Sequence, residues 1–315
     1  RAEDIKDVLV IGSGIMGLGI AQNFAQAGLT VRVVDREMDI LERCMAQIDA
    51  NLKLFMGYGL LKEEPATVKA RLIPYLTKDL DEAMKGCDFV VEAVPEIIEL
   101  KKELFAKMDT LPERVILSSN TSSLTISSMA GDMRTPARVV GLHYFNPAHI
   151  IPAVEIHRGK HTSDEVVEVT RALMLRVGKK PVLVRKEVPG FIINRLTGAM
   201  EREIDYLLDE GVVTPEDLDT AVKASYGFRL ACLGPMEAED MIGLDTAARS
   251  SSNIFKVLSN KTEPSPQLLE KVNRGELGIK SGRGWYDYSG RSTEEIMDER
   301  NRLLLKQLAL FMSRK

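Results

Sequence analysis

Cysteine is scarce in this chain. Cys44, Cys87 and Cys232 lie far apart and no two are spaced as CxxC. That pattern argues against a disulfide framework and against a structural zinc site, and it suits a reducing compartment. Long apolar runs are missing too, and none reaches the length needed to cross a membrane. Neither sign of charge dominates: 42 Lys and Arg face 46 Asp and Glu, for a net charge of −4. Such a surface has no electrostatic footprint for nucleic acid or an acidic membrane. Internal repeats and low-complexity tracts are absent. The chain starts at Arg1 rather than Met. A cytoplasmic location is expected, with prior removal of a targeting peptide left open. What remains is an ordinary globular composition, 44% hydrophobic and 28% charged, with 315 residues, long enough for two domains.

The first recognisable device is near the N-terminus. Val8-Leu9-Val10-Ile11 is an apolar run of strand type, followed at once by Gly12-Ser13-Gly14-Ile15-Met16-Gly17. A helical pattern opens at Ile15 and Met16 and ends at Gly28. A second strand, Val31–Val34, finishes in Asp35. Strand, glycine turn, helix, strand and carboxylate together form a dinucleotide-binding signature. Gly12 allows the tight turn, Gly14 lets the backbone approach a pyrophosphate, and Gly17 lets helix and strand pack closely. The helix N-terminus offers free N–H groups to that pyrophosphate. Asp35 can accept hydrogen bonds from ribose hydroxyls and would repel a 2′-phosphate, which favours NAD over NADP. Arg36 beside it is the residue that could face such a phosphate. A purely structural turn, or a different nucleotide, is the competing reading of the glycines.

Beyond Asp35 the pattern is helical and charged to about residue 72, broken by Gly57-Tyr58-Gly59 and Pro65, which predicts a helical hairpin projecting from the sheet. Strand-like runs recur at Phe89–Val94, Val115–Ser119, Val139–Leu142 and Val182–Val184 with helical stretches between most of them. This alternation predicts an α/β, Rossmann-type doubly wound sheet. Pro189-Gly190 marks a change. From Phe191 onward apolar residues recur at helical spacing, and Thr214 is placed as an N-cap. The expected organisation is a dinucleotide-binding domain over 1–186 and an all-helical domain over 187–315. Met297, Asn301, Leu304, Leu308 and Phe311 share one face of a last helix, expected to pack on the second domain or on a partner subunit.

Residues 141–156, GLHYFNPAHIIPAVEI, carry the candidate chemistry. His143 ends one apolar run and Glu155 lies inside the next, with Asn146-Pro147 turning between. If the two runs are adjacent strands, imidazole and carboxylate meet. A carboxylate fixes the tautomer of a neighbouring histidine and stabilises its charged form, as a general base near neutral pH requires. The competing reading is a core histidine and a surface glutamate.

These residues resemble the L-3-hydroxyacyl-CoA dehydrogenases, including the 3-hydroxybutyryl-CoA dehydrogenases. The likeness runs nearly end to end: VIGSGIMG at 10–17, VVEAVPE at 90–96, SSNTSSL at 118–124, GLHYFNP at 141–147, VEI at 154–156, VPGFIINR at 188–195, GP..A.D.IGLDT at 234–246 and LGIKSGRGWYDY at 277–288. The resemblance implies NAD as cofactor and an acyl-CoA substrate, and the apolar helix faces after Phe191 with the Met297–Phe311 stripe predict a homodimer joined through the second domain. The same resemblance implies His143 as base and Glu155 as its orienting partner. Ser122, Asn146 and Asn194 would be polar groups around the reacting oxygen and the nicotinamide. Glu96, Lys101 and Asn120 would line the cofactor cleft, and Lys280 would reach it from the second domain. Each has a plainer reading: a turn cap for Ser122, a backbone partner for Asn194, a solvated loop lysine for Lys280.

Two departures concern the substrate. Acyl-CoA members of the family carry several lysines in the hairpin near residues 56–62, where coenzyme A phosphates lie. Here that stretch holds Lys62 alone, with Lys53, Lys69 and Arg71 as possible substitutes. The HIIPAVE form and Gly227-Phe228-Arg229-Leu230-Ala231 also resemble relatives that oxidise small free hydroxy acids, the L-gulonate and carnitine dehydrogenases, and lambda-crystallin. In such an enzyme Arg229 would pair with a substrate carboxylate; otherwise it is a structural ion pair at a helix end. A dinucleotide-binding structural protein is the remaining alternative.

Overall fold

The computed structural model describes residues 1–313. They form two compact units, one of Arg1–Ile192 joined by the segment from Asn301 onward, the other of Ile193–Arg300.

The first unit is built on one eight-stranded sheet in the order β3-β2-β1-β4-β5-β6-β7-β8. The strands are β1 Asp7–Ile11, β2 Thr30–Asp35, β3 Leu72–Leu76, β4 Phe89–Glu92, β5 Ile116–Ser119, β6 Val139–Tyr144, β7 Ala153–His157 and β8 Lys180–Val184. From β1 to β6 every pairing is parallel; β7 runs antiparallel to β6, and β8 runs parallel to β7. Both faces are covered, which explains why β1 and β4 read as unbroken apolar runs instead of alternating. Successive side chains still divide between two cores. Val8, Val10, Val31 and Val33 pack with Phe24, Leu41 and Ile48 on one face. Leu9, Ile11, Val34 and Val90 pack with Phe105 and Leu117 on the other. The chain runs outward from β1 to β3 and returns to β4. The carboxyl ends of β1 and β4 therefore flank the crevice where open sheets of this kind bind ligands.

Helix α1, Ile15–Gln26, joins β1 to β2, and α2, Met38–Gly57, leads from β2 toward the short helix Pro65–Lys69. These last two form the expected hairpin. The helical pattern predicted to about residue 72 gives way to β3 there. This strand was missed because it lies at the sheet edge, contains Pro74 and buries only Leu72 fully.

The second unit is helical, as the sequence predicts. Its helices begin with Ile193–Asp209 and Pro215–Ala224, and Thr214 accepts a hydrogen bond from the Asp217 N–H as the N-cap of the latter. The tail helix, Thr293–Met312, differs from expectation. Leu305 is buried against Phe55 of α2 and Ile150, with Leu304 and Leu308 beside it and Leu54, Tyr58, Leu60 and Leu61 opposite. The apolar stripe of residues 301–313 thus covers the hairpin of the first unit. The expected assignment of all of 187–315 to the second domain differs from the structure in this respect. Among the described residues no helix is long and apolar enough to cross a membrane.

Candidate active site

The glycine turn has the constraints its sequence implies. Gly12 has φ +97°, and a Cβ there would lie 2.6 Å from the Ala93 carbonyl oxygen. A Cβ on Gly17 would lie 1.8 Å from the Gly12 oxygen, so only glycine lets α1 approach the turn this closely. Gly14 has open space on its Cβ side. The first turn of α1 has no side-chain cap and no acidic residue, which leaves the N–H groups at Ile15 and Met16 to an anion. Asp35 ends β2 and grips the same turn: its Oδ2 accepts from the Ser13 N–H and hydroxyl, both at 2.7 Å, and its Oδ1 from the Arg36 N–H. Burial pushes the Asp35 carboxyl up, but the Ser13 and Arg36 hydrogen bonds and the Arg36 charge outweigh it and hold it below its ordinary value. An open backbone cradle at a helix N-terminus, with an ionised carboxylate at the next strand end, fits a dinucleotide with free ribose hydroxyls.

On the far side of the crevice the structure revises one expectation. Lys101 does not stand on an open wall. It is fully buried, donating to both carboxylate oxygens of Glu92 at 2.7 and 2.9 Å, and it lies 3.1 Å from Glu96 Oε2. Its donors are consumed beneath the loop, because a charge ending an apolar strand must be paired where it is buried. Glu96 collects the loop after β5. It accepts from the N–H groups of Ser122 and Ser123, both at 3.0 Å, and from the hydroxyls of Thr121 and Ser123. Burial pushes its carboxyl up, yet Thr121, Lys101 and Ser123 together bring it down to about 2. Glu96 thereby fixes the position of Ser122, which is exposed. Asn120 is likewise a brace, its Oδ1 accepting from the Tyr144 N–H of β6 at 2.9 Å.

His143 and Glu155 are register partners across the antiparallel pair β6–β7. Directly opposed side chains on one sheet face meet, and His143 Nδ1 lies 2.9 Å from Glu155 Oε2, both groups buried. Nδ1–H donation to the carboxylate leaves Nε2 as the basic nitrogen. Glu155 Oε1 accepts from the Ile192 N–H at 3.2 Å. That N–H is presented by the turn at Pro189-Gly190, in which Phe191 takes φ +54°. A bulky residue in the left-handed region is strained, and here the strain sits at the carboxylate. The buried Phe191 ring tilts toward His143 and stands edge-on to His157. Asn146 is exposed in the turn beyond β6, with a cis peptide bond to Pro147.

His157 is the site residue the sequence reading missed. Two positions beyond Glu155 on one strand, it faces the same side, and its Nε2 stands 3.3 Å from the same Oε2 that His143 engages. The spacing Glu-x-His in a predicted strand was the available signal.

Of the remaining candidates, Lys53 pairs with Asp49 at 2.6 Å, Lys69 lies 3.9 Å from the same carboxylate, and Arg71 pairs with Glu63. Lys62 is exposed. In the second unit Asn194 lies in the first turn of the helix Ile193–Asp209, and Lys280 sits in the exposed turn Ile279–Ser281. Arg229 is exposed on the helix Tyr226–Leu230, and no acidic partner is found for it among the described residues. The ion pair at a helix end is therefore not formed there.

A doubly wound sheet with an open glycine turn, and a buried His–Glu pair at the carboxyl end of a neighbouring strand, defines a nicotinamide-dinucleotide-dependent oxidoreductase. Residues 7–188 match the NAD binding domain of 3-hydroxyacyl-CoA dehydrogenase, and residues 190–288 match its C-terminal domain. The chain belongs to the 3-hydroxyacyl-CoA dehydrogenase family, and its cofactor is NAD. It is 36% identical over 302 residues to 5-formyl-3-hydroxy-2-methylpyridine 4-carboxylate 5-dehydrogenase of Mesorhizobium japonicum, covering 96% of each chain. A crystal structure of a dehydrogenase of that name, described as an NAD+-dependent dismutase, superposes with a TM-score of 0.90 at 35% identity over 99% of this chain and 100% of the other. A probable 3-hydroxybutyryl-CoA dehydrogenase of Bacillus subtilis is 36% identical over 92% of this chain and 100% of its own.

Proposed function

We propose that the protein oxidises, with NAD, a small carboxylic acid bearing an alcohol or hydrated aldehyde, free of coenzyme A. The observation that carries this reading is the closeness of the fold to the pyridine-carboxylate dehydrogenase. That structure superposes over 99% of the chain with a TM-score of 0.90, against 0.68 for a 3-hydroxyacyl-CoA dehydrogenase of Archaeoglobus fulgidus that covers 98%. The tail covers the hairpin, and three of the four hairpin cations face acidic groups of this chain. Those three are the substitutes for the family's coenzyme A lysines, of which this chain keeps Lys62 alone. Arg229, exposed and without an acidic partner among the described residues, is the cation proposed for the substrate carboxylate.

NAD, when bound, supplies the hydride acceptor. The chain's part is proton transfer and orientation. His143 takes the hydroxyl proton at Nε2, and Glu155 stabilises the imidazolium through Nδ1–H. An aldehyde hydrate carries the same H–C–O–H unit as a secondary alcohol, so one base serves both. Ser122, held by Glu96, Asn146 and Asn194 are proposed as the polar groups around the reacting oxygen and nicotinamide.

A second reading keeps an L-3-hydroxyacyl-CoA as substrate. It is favoured by relatives named as 3-hydroxybutyryl-CoA dehydrogenases and by the exposed Lys62. Steady-state kinetics separates the two, comparing acetoacetyl-CoA with NADH against 5-formyl-3-hydroxy-2-methylpyridine 4-carboxylate with NAD. The expected result is a kcat/KM for the free acid exceeding that for the thioester by about a hundredfold or more. Efficient turnover of the thioester with none of the free acid overturns the first reading in favour of the second.

A further inference from the structure

We propose that His157 is a positioning residue that competes with His143 for Glu155 and so sets the pH at which the base becomes available. This rests on the reading of His143 as base.

The geometry is that of one acceptor shared by two imidazoles. Glu155 Oε2 lies 2.9 Å from His143 Nδ1 and 3.3 Å from His157 Nε2. The other oxygen is taken by the Ile192 N–H. The ring of His157 is 1% exposed, and its Nδ1 has no hydrogen-bond partner. Its Nε2 stands 3.3 Å from Oε2 as a charge–dipole contact, outside hydrogen-bonding geometry. A bare Nδ1 and an Nε2 facing a carboxylate select the Nε2–H tautomer. Burial pushes His157 down, against the raising effect of Glu155. His157 is therefore a neutral donor beside the carboxylate.

The fold makes room for this ring. Gly141 of β6 is its register partner, and a Cβ on Gly141 would lie 2.6 Å from His157 Cβ. Phe191, in its strained conformation, closes over it. The titratable and charged groups facing His157 are Glu155 on its own strand, His143 from β6 and Glu187 from the segment after β8. Glu187 is itself held by the Ser127 N–H and hydroxyl. An Nε2–H dipole held 3.3 Å from Oε2 stabilises the carboxylate and so reduces what it returns to a protonated His143. Removing that donor strengthens the pull of Glu155 on the imidazolium, and the base then loses its proton only at higher pH.

The test uses the whole enzyme with its NAD-linked assay, and 15N-detected imidazole spectra, which four histidines keep simple. In the wild-type protein His157 is expected as the neutral Nε2–H tautomer throughout about pH 6–8. In His157→Leu the acidic limb of the kcat/KM profile should move up by about half a pH unit, the scale of one close dipole–carboxylate contact. The His143 resonance should move with it. His157→Gln keeps an amide donor at the place of Nε2 and should restore the wild-type profile. An Nδ1–H or freely titrating His157 in the wild type overturns the proposal. So does an unchanged His143 titration in His157→Leu. If His143→Gln retains turnover, the base assignment fails instead, and the imidazole titrations still decide whether His157 competes for Glu155.

Discussion

Replacing Glu155 with glutamine preserves size and shape but not the pattern of acceptors. The carboxylate meets His143 Nδ1 at 2.9 Å and the Ile192 N–H at 3.2 Å, and His157 Nε2 stands 3.3 Å away. A glutamine has one acceptor oxygen and one NH2 group. If its oxygen stays with Ile192, the NH2 faces His143 Nδ1. That nitrogen must then accept, the ring proton moves to Nε2, and the base is blocked in the wrong tautomer. If the amide is turned over, the NH2 abuts the Ile192 N–H and a partly buried donor loses its partner, at about 1 kcal/mol of stability. Either arrangement should lower kcat by about 10²–10⁴-fold, the range for loss of general-base catalysis. NADH affinity should not change, because the glycine turn and Asp35 stand on other strands. Steady-state kinetics, NADH fluorescence titration and a thermal melt measure the three quantities. A folded Glu155→Gln enzyme with near-wild-type kcat would refute the assignment of His143 and Glu155 as a working pair.

Four other outcomes are expected. Lys179 is buried, donates to the Ala148 and Ile151 carbonyls, and is pushed down by burial to about 7 from an ordinary 10.5. Between those values only the unfolded chain holds the proton, so stability rises with pH there, and below about 7 the full penalty remains. Urea unfolding should gain up to about 2 kcal/mol from pH 7 to pH 9 in the wild type relative to Lys179→Met; equal pH dependence of the two would contradict this. NAD should be preferred to NADP through Asp35, and Asp35→Ala should narrow the kcat/KM ratio; an unaltered ratio assigns the selection elsewhere. Leu305→Ala should cost about 2–4 kcal/mol in chemical denaturation, since Leu305 is 1% exposed between Phe55 and Ile150. Phe228, Met241, Leu244 and Phe255 are each more than 60% exposed in the second unit, and apolar surface of that extent marks an interface. A dimer at micromolar concentration is expected in sedimentation, and a stable monomer would refute it.

The parts of this protein readable from sequence are those set by local rules. The glycine turn demands its residues wherever it occurs. The apolar runs can only be buried strands, and His143 and Glu155 flank a turn that brings them into register. Lys101 shows where local reading stops. Its motif neighbours suggested a cleft, but its partner Glu92 ends a buried strand, and only assembly of the sheet reveals that the two charges neutralise each other. β3 was hidden because edge strands need no continuous apolar run. The tail helix was legible as amphipathic, but periodicity gives a face and not its partner. His157 was overlooked because its signal, the Glu155-x-His157 spacing on one strand face, gains meaning only once that run is paired with β6.

The return of the tail to the first unit orders events during synthesis. The chain leaves that unit at Ile192 and rejoins it at Asn301. Phe55 and Ile150 are therefore translated more than a hundred residues before Leu305, their covering side chain, exists. At about 5–20 residues per second the patch stays open for roughly 8–30 s on the ribosome. The sheet can form in that interval, but its apolar surface at the hairpin is completed only by a segment made more than a hundred residues later. A nascent chain stalled before residue 301 should bind a hydrophobic dye or a chaperone at the hairpin, and the finished protein should not.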